Sequence, residues 1–180
     1  KKVKGKLTYA NGDIYEGEFK KDKWHGKGKY TNANGNVYEG EWKDGKMHGE
    51  GVMTYANKDK YEGQYADDRK HGKGKMTYAD GAIYEGQYAD DRKHGEGKIT
   101  GTNGHKYKGA YKEGDPHGNG MEIFPNGEKY IGEYIDGIWN GQGTIKYADG
   151  SEYSGKWKNG TYHGPGTFTW SNGRKYIGEY

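Results

Sequence analysis

The side chains that could do chemistry in this chain recur with one step. His25, His48, His71, His94, His117 and His163 are separated by 23 residues or by twice that. A zinc ion needs its ligands near 2 Å. Equivalent residues of units two strands apart stand about 10 Å from one another, so no two could share a metal. The Gly-x-Gly pairs Gly26/Gly28, Gly49/Gly51, Gly72/Gly74, Gly95/Gly97, Gly118/Gly120, Gly141/Gly143 and Gly164/Gly166 keep the same step. Phosphate-cradling glycine loops need a following helix to hold the anion, and no helical periodicity is present. Ser151, Ser154 and Ser171 have no His and acid set that other units lack. Asp67-Asp68 and Asp90-Asp91 fall in repeated links and read as solvated turn residues. With Cys absent there is no disulfide framework and no thiolate site. We therefore expect no catalytic residue, no cofactor site and no metal site: the chain reads as non-enzymatic.

The period itself defines the elements. Tyr-x-Gly begins at Tyr15, Tyr38, Tyr61, Tyr84, Tyr107, Tyr130, Tyr153 and Tyr176, with no insertion. A fixed period of this length means stacked units that each rest on their neighbours. In Tyr38-Glu39-Gly40-Glu41-Trp42, alternation puts Tyr38, Gly40 and Trp42 on one face of a strand. A second strand, Gly49 to Tyr55, puts Gly49, Gly51, Met53 and Tyr55 on the same side. The equivalents of Met53 are Leu7, Tyr30, Met76, Ile99, Ile145 and Phe168; the exception is Glu122.

Asn11-Gly12, Asn34-Gly35, Asp80-Gly81, Asn103-Gly104, Asn126-Gly127, Asp149-Gly150 and Asn172-Gly173 predict tight turns with both residues at positive φ. Lys58 replaces that glycine once, which predicts a strained or different turn. The other link, such as Lys43 to His48, reads as longer and polar. Each unit is then a β-hairpin, and hairpins in series form an antiparallel meander. Strand glycines on the aromatic face would receive rings from adjacent strands and let the sheet curl over them. Sixteen strands at about 4.8 Å give a ribbon on the order of 70 Å.

Hydrophobic residues are only 29% of the chain, yet 19 Tyr and 5 Trp sit at fixed phases, which excludes a disordered tail. No apolar run reaches membrane-spanning length and no signal-peptide pattern opens the chain, so a cytoplasmic location is the default expectation. The sequon Asn159-Gly160-Thr161 reads as a turn. Net charge is +3, with acids and bases interleaved, and the rings are needed as core; nucleic acid is not an expected partner. The chain begins without Met and stops mid-repeat, as a fragment would.

Tyr-Glu-Gly-x-Trp/Tyr, a polar link, His-Gly-x-Gly and then Asn/Asp-Gly resembles the MORN repeat (membrane occupation and recognition nexus), with residues 38–60 near the consensus. The resemblance implies an all-β fold: an elongated, twisted, open-ended antiparallel meander. It would be one array over 1–180, with a partial repeat at 1–14, seven repeats over 15–175 and the start of another at 176–180. It also implies a non-catalytic scaffold for cytoskeletal, ciliary or membrane-junction assemblies. The alternatives are an anionic-phospholipid-binding module, through Lys20, Lys21, Lys23, Lys27 and Lys29, and the targeting part of a larger enzyme. Departures are Lys58, Asn140 in place of the loop His, and Glu122. Lys108, Ile131, Ser154 and Ile177 also replace the Glu of Tyr-Glu-Gly.

Three further expectations follow. A protein partner, an extended peptide or a helix, would lie in an aromatic groove anchored by Trp42, Tyr65, Tyr88, Tyr111, Tyr134 and Trp157. The edge comprising Phe168, Trp170, Tyr176, Ile177 and Tyr180 would be covered by continuing repeats or by a second copy in a homodimer. Glu122 should either pair with a cation or open its unit to solvent, with a locally looser or more curved sheet around residues 113–124.

Overall fold

The computed structural model describes residues 1–180. After β1 (Lys2–Thr8), first and second strands alternate: β2 (Ile14–Lys20) and β3 (Lys23–Thr31), β4 (Val37–Lys43) and β5 (Lys46–Thr54), β6 (Lys60–Ala66) and β7 (Arg69–Thr77), β8 (Ile83–Ala89) and β9 (Arg92–Thr100). They continue as β10 (Lys106–Lys112) and β11 (Asp115–Ile123), β12 (Lys129–Ile135) and β13 (Ile138–Lys146), β14 (Glu152–Lys158) and β15 (Thr161–Thr169), and end with β16 (Lys175–Glu179). The sixteen strands are hydrogen-bonded in chain order in one open sheet, and no helix is present. Two compact units divide the chain, Lys1–Arg92 and Lys93–Tyr180.

In the first unit, glycine faces glycine across every strand pair. Gly5, Gly17, Gly28, Gly40, Gly51, Gly63, Gly74 and Gly86 follow one another in register. The second unit repeats the row through Gly97, Gly109, Gly120, Gly132, Gly143, Gly155, Gly166 and Gly178. The tyrosine of a first strand lies over the glycine pair of its own hairpin, as Tyr15 does over Gly17 and Gly28 and Tyr38 over Gly40 and Gly51. A Cβ on Gly74 would sit 2.5–2.7 Å from atoms of the Tyr61 ring, and one on Gly63 would be 2.6 Å from the Gly74 Cα. The ring fills the space a side chain would take. Interior members of the Tyr series from Tyr15 to Tyr153 are 0–2% exposed. Tyr176, on the last strand, is 43% exposed, so burial of each ring depends on the next strand.

The register also slips once in each hairpin. Gly40 pairs with Gly51 but Trp42 pairs with Met47, so the second strand takes four steps where the first takes two. The extra length sits at His48-Gly49, where Gly49 has φ of 64°. A bulge leaves an N–H without a ladder partner. The Glu41 carboxylate takes it, accepting from Glu50 N at 2.6 Å. Glu18 does the same for Lys27 N (2.6 Å), Gln64 for Lys73 N (3.0 Å), and Glu133 for Gln142 N. The acid or amide after the strand glycine is therefore structural.

The two links exchange the roles expected of them. Lys43-Asp44-Gly45-Lys46 is the tight one: Lys43 pairs with Lys46, and Asp44 (φ 50°) and Gly45 (φ 83°) are both left-handed. The Asn-Gly link is the longer. In Tyr9–Asp13, Gly12 N donates to Tyr9 O (3.0 Å), Tyr9 N donates to Asp13 O (2.9 Å), and only Gly12 has positive φ (95°). The Asn serves as an acceptor, with Asp13 N donating to Asn11 Oδ1 at 3.0 Å. A dipeptide reports tolerance of positive φ; strand register decides which link is short.

Both links tie one repeat to the next. Gly45 N donates to Trp24 O (2.8 Å), and Gly137 N to Pro116 O (2.8 Å). In the link at Asp68 the residue is not glycine (φ 69°), and its carboxylate adds a bond from Met47 N at 2.8 Å. Of the two outcomes expected for residues 113–124, looseness is not found: β11 has the length and pairing of the other second strands. Lys58 keeps the turn of its neighbours (Lys58 N to Tyr55 O, 2.9 Å) by adopting φ of 75°. The strained alternative therefore applies. Relieving it predicts that Lys58→Gly raises stability by about 1 kcal/mol in urea unfolding; an unchanged or lower midpoint would contradict this.

Candidate functional site: half-exposed rings over a sealed core

Trp42, Tyr65, Tyr88, Tyr111, Tyr134 and Trp157, the expected groove anchors, are only 2–5% exposed. They are core. Alternation identified their face correctly but carries no information on depth. In the first unit each makes edge-to-face contact with the Tyr of its own strand and with that of the preceding repeat. Tyr15–Trp42 (5.6 Å), Tyr38–Trp42 (5.0 Å), Tyr38–Tyr65 (5.2 Å) and Tyr61–Tyr65 (5.2 Å) form one continuous zipper. In the second unit Tyr107–Tyr134, Tyr130–Tyr134, Tyr130–Trp157 and Tyr153–Trp157 run the same way, at 5.1–5.6 Å. Such pairs contribute about 0.5–1.5 kcal/mol each beyond burial.

The polar atoms of these rings differ in how they are satisfied. Tyr38 OH donates to Glu41 O (2.9 Å), three residues on, and the other Tyr of that series do likewise. Trp42 Nε1 donates to Gly28 O and Trp157 Nε1 to Gly143 O, both at 3.0 Å. Where Tyr replaces that Trp, the hydroxyls of Tyr65 and Tyr88 are buried with no partner. Burial pushes the Tyr15 hydroxyl up to about 12 and those of Tyr65 and Tyr88 higher still.

Glu122 is partnered by hydrogen bonds rather than left alone. His105 Nε2 lies 3.1 Å from its carboxylate, and Tyr134 OH and Trp139 Nε1 donate to it at 3.3 Å. The pair His105/Glu122 occupies the positions of Asp13/Tyr30, whose side chains bond at 2.7 Å, so the repeat keeps the bond with its partners exchanged. Two histidines reach the next link: Asp44 N donates to His25 Nδ1 (3.5 Å) and Asp136 N to His117 Nδ1 (3.3 Å).

What solvent meets on the aromatic face is a second tier of side chains. In the first unit Trp24 stacks on Tyr15 (4.5 Å, 3°) and Lys70 Nζ sits over Tyr55 and Tyr61 (5.3 and 5.5 Å). Tyr30, Met47, Met53, Tyr55 and Tyr78 continue the tier, all half-buried. In the second unit Trp139 stacks on Tyr130 (4.4 Å, 7°) and Tyr162 on Tyr153 (3.8 Å, 17°). Phe124, Tyr147, Phe168 and Trp170 join them, half-buried. On the C-terminal edge, Ile177 is 77% exposed and Tyr180 43%. The opposite face carries an open cleft of about 760 Å³ floored by Gly28, Gly40, Gly51 and Gly63, with Lys27, Lys29, Glu39, Glu41, Glu50 and Glu62 along it. There the register sets Lys27 opposite Glu41 and Lys29 opposite Glu39.

The MORN-repeat profile matches residues 1–14, 15–37, 38–60, 61–83, 84–106, 107–129, 130–152 and 153–173. The chain belongs to the MORN-repeat family. No curated protein is similar enough in sequence to count as a match. Among solved structures, the TCP domain of Drosophila melanogaster SAS-4, in complex with a proline-rich motif of Ana2, is similar to the MORN array with a TM-score of 0.52 at 18% identity. The alignment covers 98% of this chain and 90% of that one. The wild-type TCP10 domain of Danio rerio CPAP has a TM-score of 0.52 at 15% identity, covering 97% and 82%. At these identities the likeness is one of fold.

The hydroxyl pattern gives a paired prediction. Tyr38→Phe should lose about 1 kcal/mol with its hydrogen bond, while Tyr65→Phe should lose nothing or gain stability by removing an unsatisfied hydroxyl. Equal losses in urea unfolding would contradict the assignment.

Proposed function

We propose that this MORN array is a non-catalytic scaffold that holds an extended segment of a protein partner along the half-exposed tier of its aromatic face. The observation that carries this is the division of the face into two tiers. The glycine-seated rings are sealed and maintain the fold. The rings and thioethers above them, including Trp24, Tyr30, Met47, Tyr55 and Tyr78 in the first unit, remain open to contact. Such side chains offer apolar surface with polar tips at low entropic cost. An extended or polyproline-like chain fits a ring-lined surface because its conformation is already fixed before binding. The proline-rich motif in the SAS-4 complex supports this mode for a sheet of similar fold. The sixfold spread of His, the scarcity of Ser and the absence of Cys support a non-catalytic role.

This reading moves the contact from Trp42, Tyr65, Tyr88, Tyr111, Tyr134 and Trp157 to the tier that covers them. It predicts that a labelled proline-rich peptide binds the wild type, and that Tyr55→Ala combined with Tyr78→Ala weakens binding about tenfold with the melting temperature largely retained. Unchanged affinity in a folded double variant would sink the aromatic-face mode.

A further inference from the structure

Comparison of equivalent positions in successive repeats isolates one carboxylate that has lost its structural role. In three repeats of the first unit the residue after the loop glycine, or after Lys58 in its place, caps the next loop. Asp13 accepts from Ala33 N (2.8 Å) and from Tyr30 OH (2.7 Å). Asn36 accepts from Ala56 N (2.9 Å) and Asp59 from Ala79 N (2.8 Å). Glu128 occupies this position in the second unit, one methylene longer than Asp. The counterpart of Tyr30 there is Ile145, buried at 2% exposure and unable to donate. The Glu128 carboxylate accepts no hydrogen bond and forms no ion pair, although the residue is half-buried.

It lines an open surface depression of about 500 Å³ with Tyr147, Asp149, Tyr162 and Phe168. The Tyr147 and Tyr162 hydroxyls bond to each other, and Phe168 stands 6.3 and 6.4 Å from the two rings. These contacts fix three rings around the opening. Asp149 Oδ1 accepts from Ser151 N (2.8 Å) and Oγ (2.5 Å), which holds its carboxyl below the usual range and leaves Oδ2 unused. Of the nearby cations, Lys146 pairs with Glu152 (3.8 Å), Arg174 lies over the Trp170 ring (4.5 Å), and Lys129, next in sequence, forms no ion pair with Glu128.

We propose that this depression is a recognition site for an arginine side chain carried by the partner peptide. A guanidinium is the group that suits both halves of the lining: its plane stacks on rings and its fork of donors meets a carboxylate. The volume admits a side chain with part of its backbone. The site rests on the peptide-binding reading and gives it a register, since one arginine would fix where an otherwise repetitive ligand settles.

The test uses two labelled probes, a proline-rich peptide with a single central arginine and the same peptide with citrulline, which keeps the shape and removes the charge. Affinity is read by fluorescence anisotropy, and the aromatic ring signals by NMR. The wild type should bind the arginine probe about tenfold more tightly and shift the Tyr147, Tyr162 and Phe168 signals. Glu128→Gln should abolish the difference between probes while leaving citrulline affinity and the thermal melt unchanged. Glu128→Asp, which places here the residue that caps the loop at Asp13 and Asp59, should weaken the preference in the same direction. Equal binding of the two probes, or a preference that survives Glu128→Gln, would overturn the arginine site and leave the aromatic-face reading standing. Absence of any ring shift with either probe would overturn both.

Discussion

A tyrosine ring laid across two glycines on neighbouring strands is the interaction from which the rest of this structure follows. A single-layer sheet has no second layer to bury an aromatic face. Here the face buries itself: the ring of Tyr61 lies on Gly63 and Gly74 because neither has a Cβ to lift it. Its hydroxyl bonds to the Gln64 carbonyl on its own strand, so the flat posture costs no unsatisfied donor. The aromatic four residues after each such Tyr then wedges edge-on between successive tyrosines. Twenty-nine per cent hydrophobic residues is enough because nearly every buried ring serves two repeats.

The same geometry sets the charges. Packing the ring demands the slip between Gly40 and Trp42, the slip orphans an N–H, and the acid beside the glycine takes it. The link at one edge bonds back to the preceding second strand, and the loop at the other edge is capped by an Asp or Asn from the repeat before. The repeats of the first unit that carry all three contacts are thus held at the centre and at both edges. Function is left to the side chains that this arrangement does not use.

Much of this was legible in the sequence. Period, strand positions, the aromatic face and the family all followed from Tyr-x-Gly and Gly-x-Gly at constant spacing. Depth was not legible: Trp42 and Met53 share a face, but only the zipper of edge-to-face contacts makes the first core and leaves the second half-exposed. The short link was misassigned because Asn-Gly outranks Asp-Gly as a local turn signal, whereas the register is fixed by a bulge several residues away. Glu122 looked anomalous when only its own strand was considered. Reading the repeats as columns would have shown His105 changing together with it, and would have shown Glu128 standing opposite Ile145 with nothing to bond.

The central claim is that the strand glycines exist to seat rings. Gly74 isolates it, because its φ is ordinary and the nearest atoms to a Cβ there all belong to Tyr61. The direct measurement is a double-mutant cycle in urea unfolding. Gly74→Ala should cost about 3 kcal/mol in the wild type and less than about 1 kcal/mol in a Tyr61→Ala background, where the added methyl enters space the ring has left. Equal costs in the two backgrounds would mean that the glycine serves the backbone alone, and the account given for the whole row would be wrong.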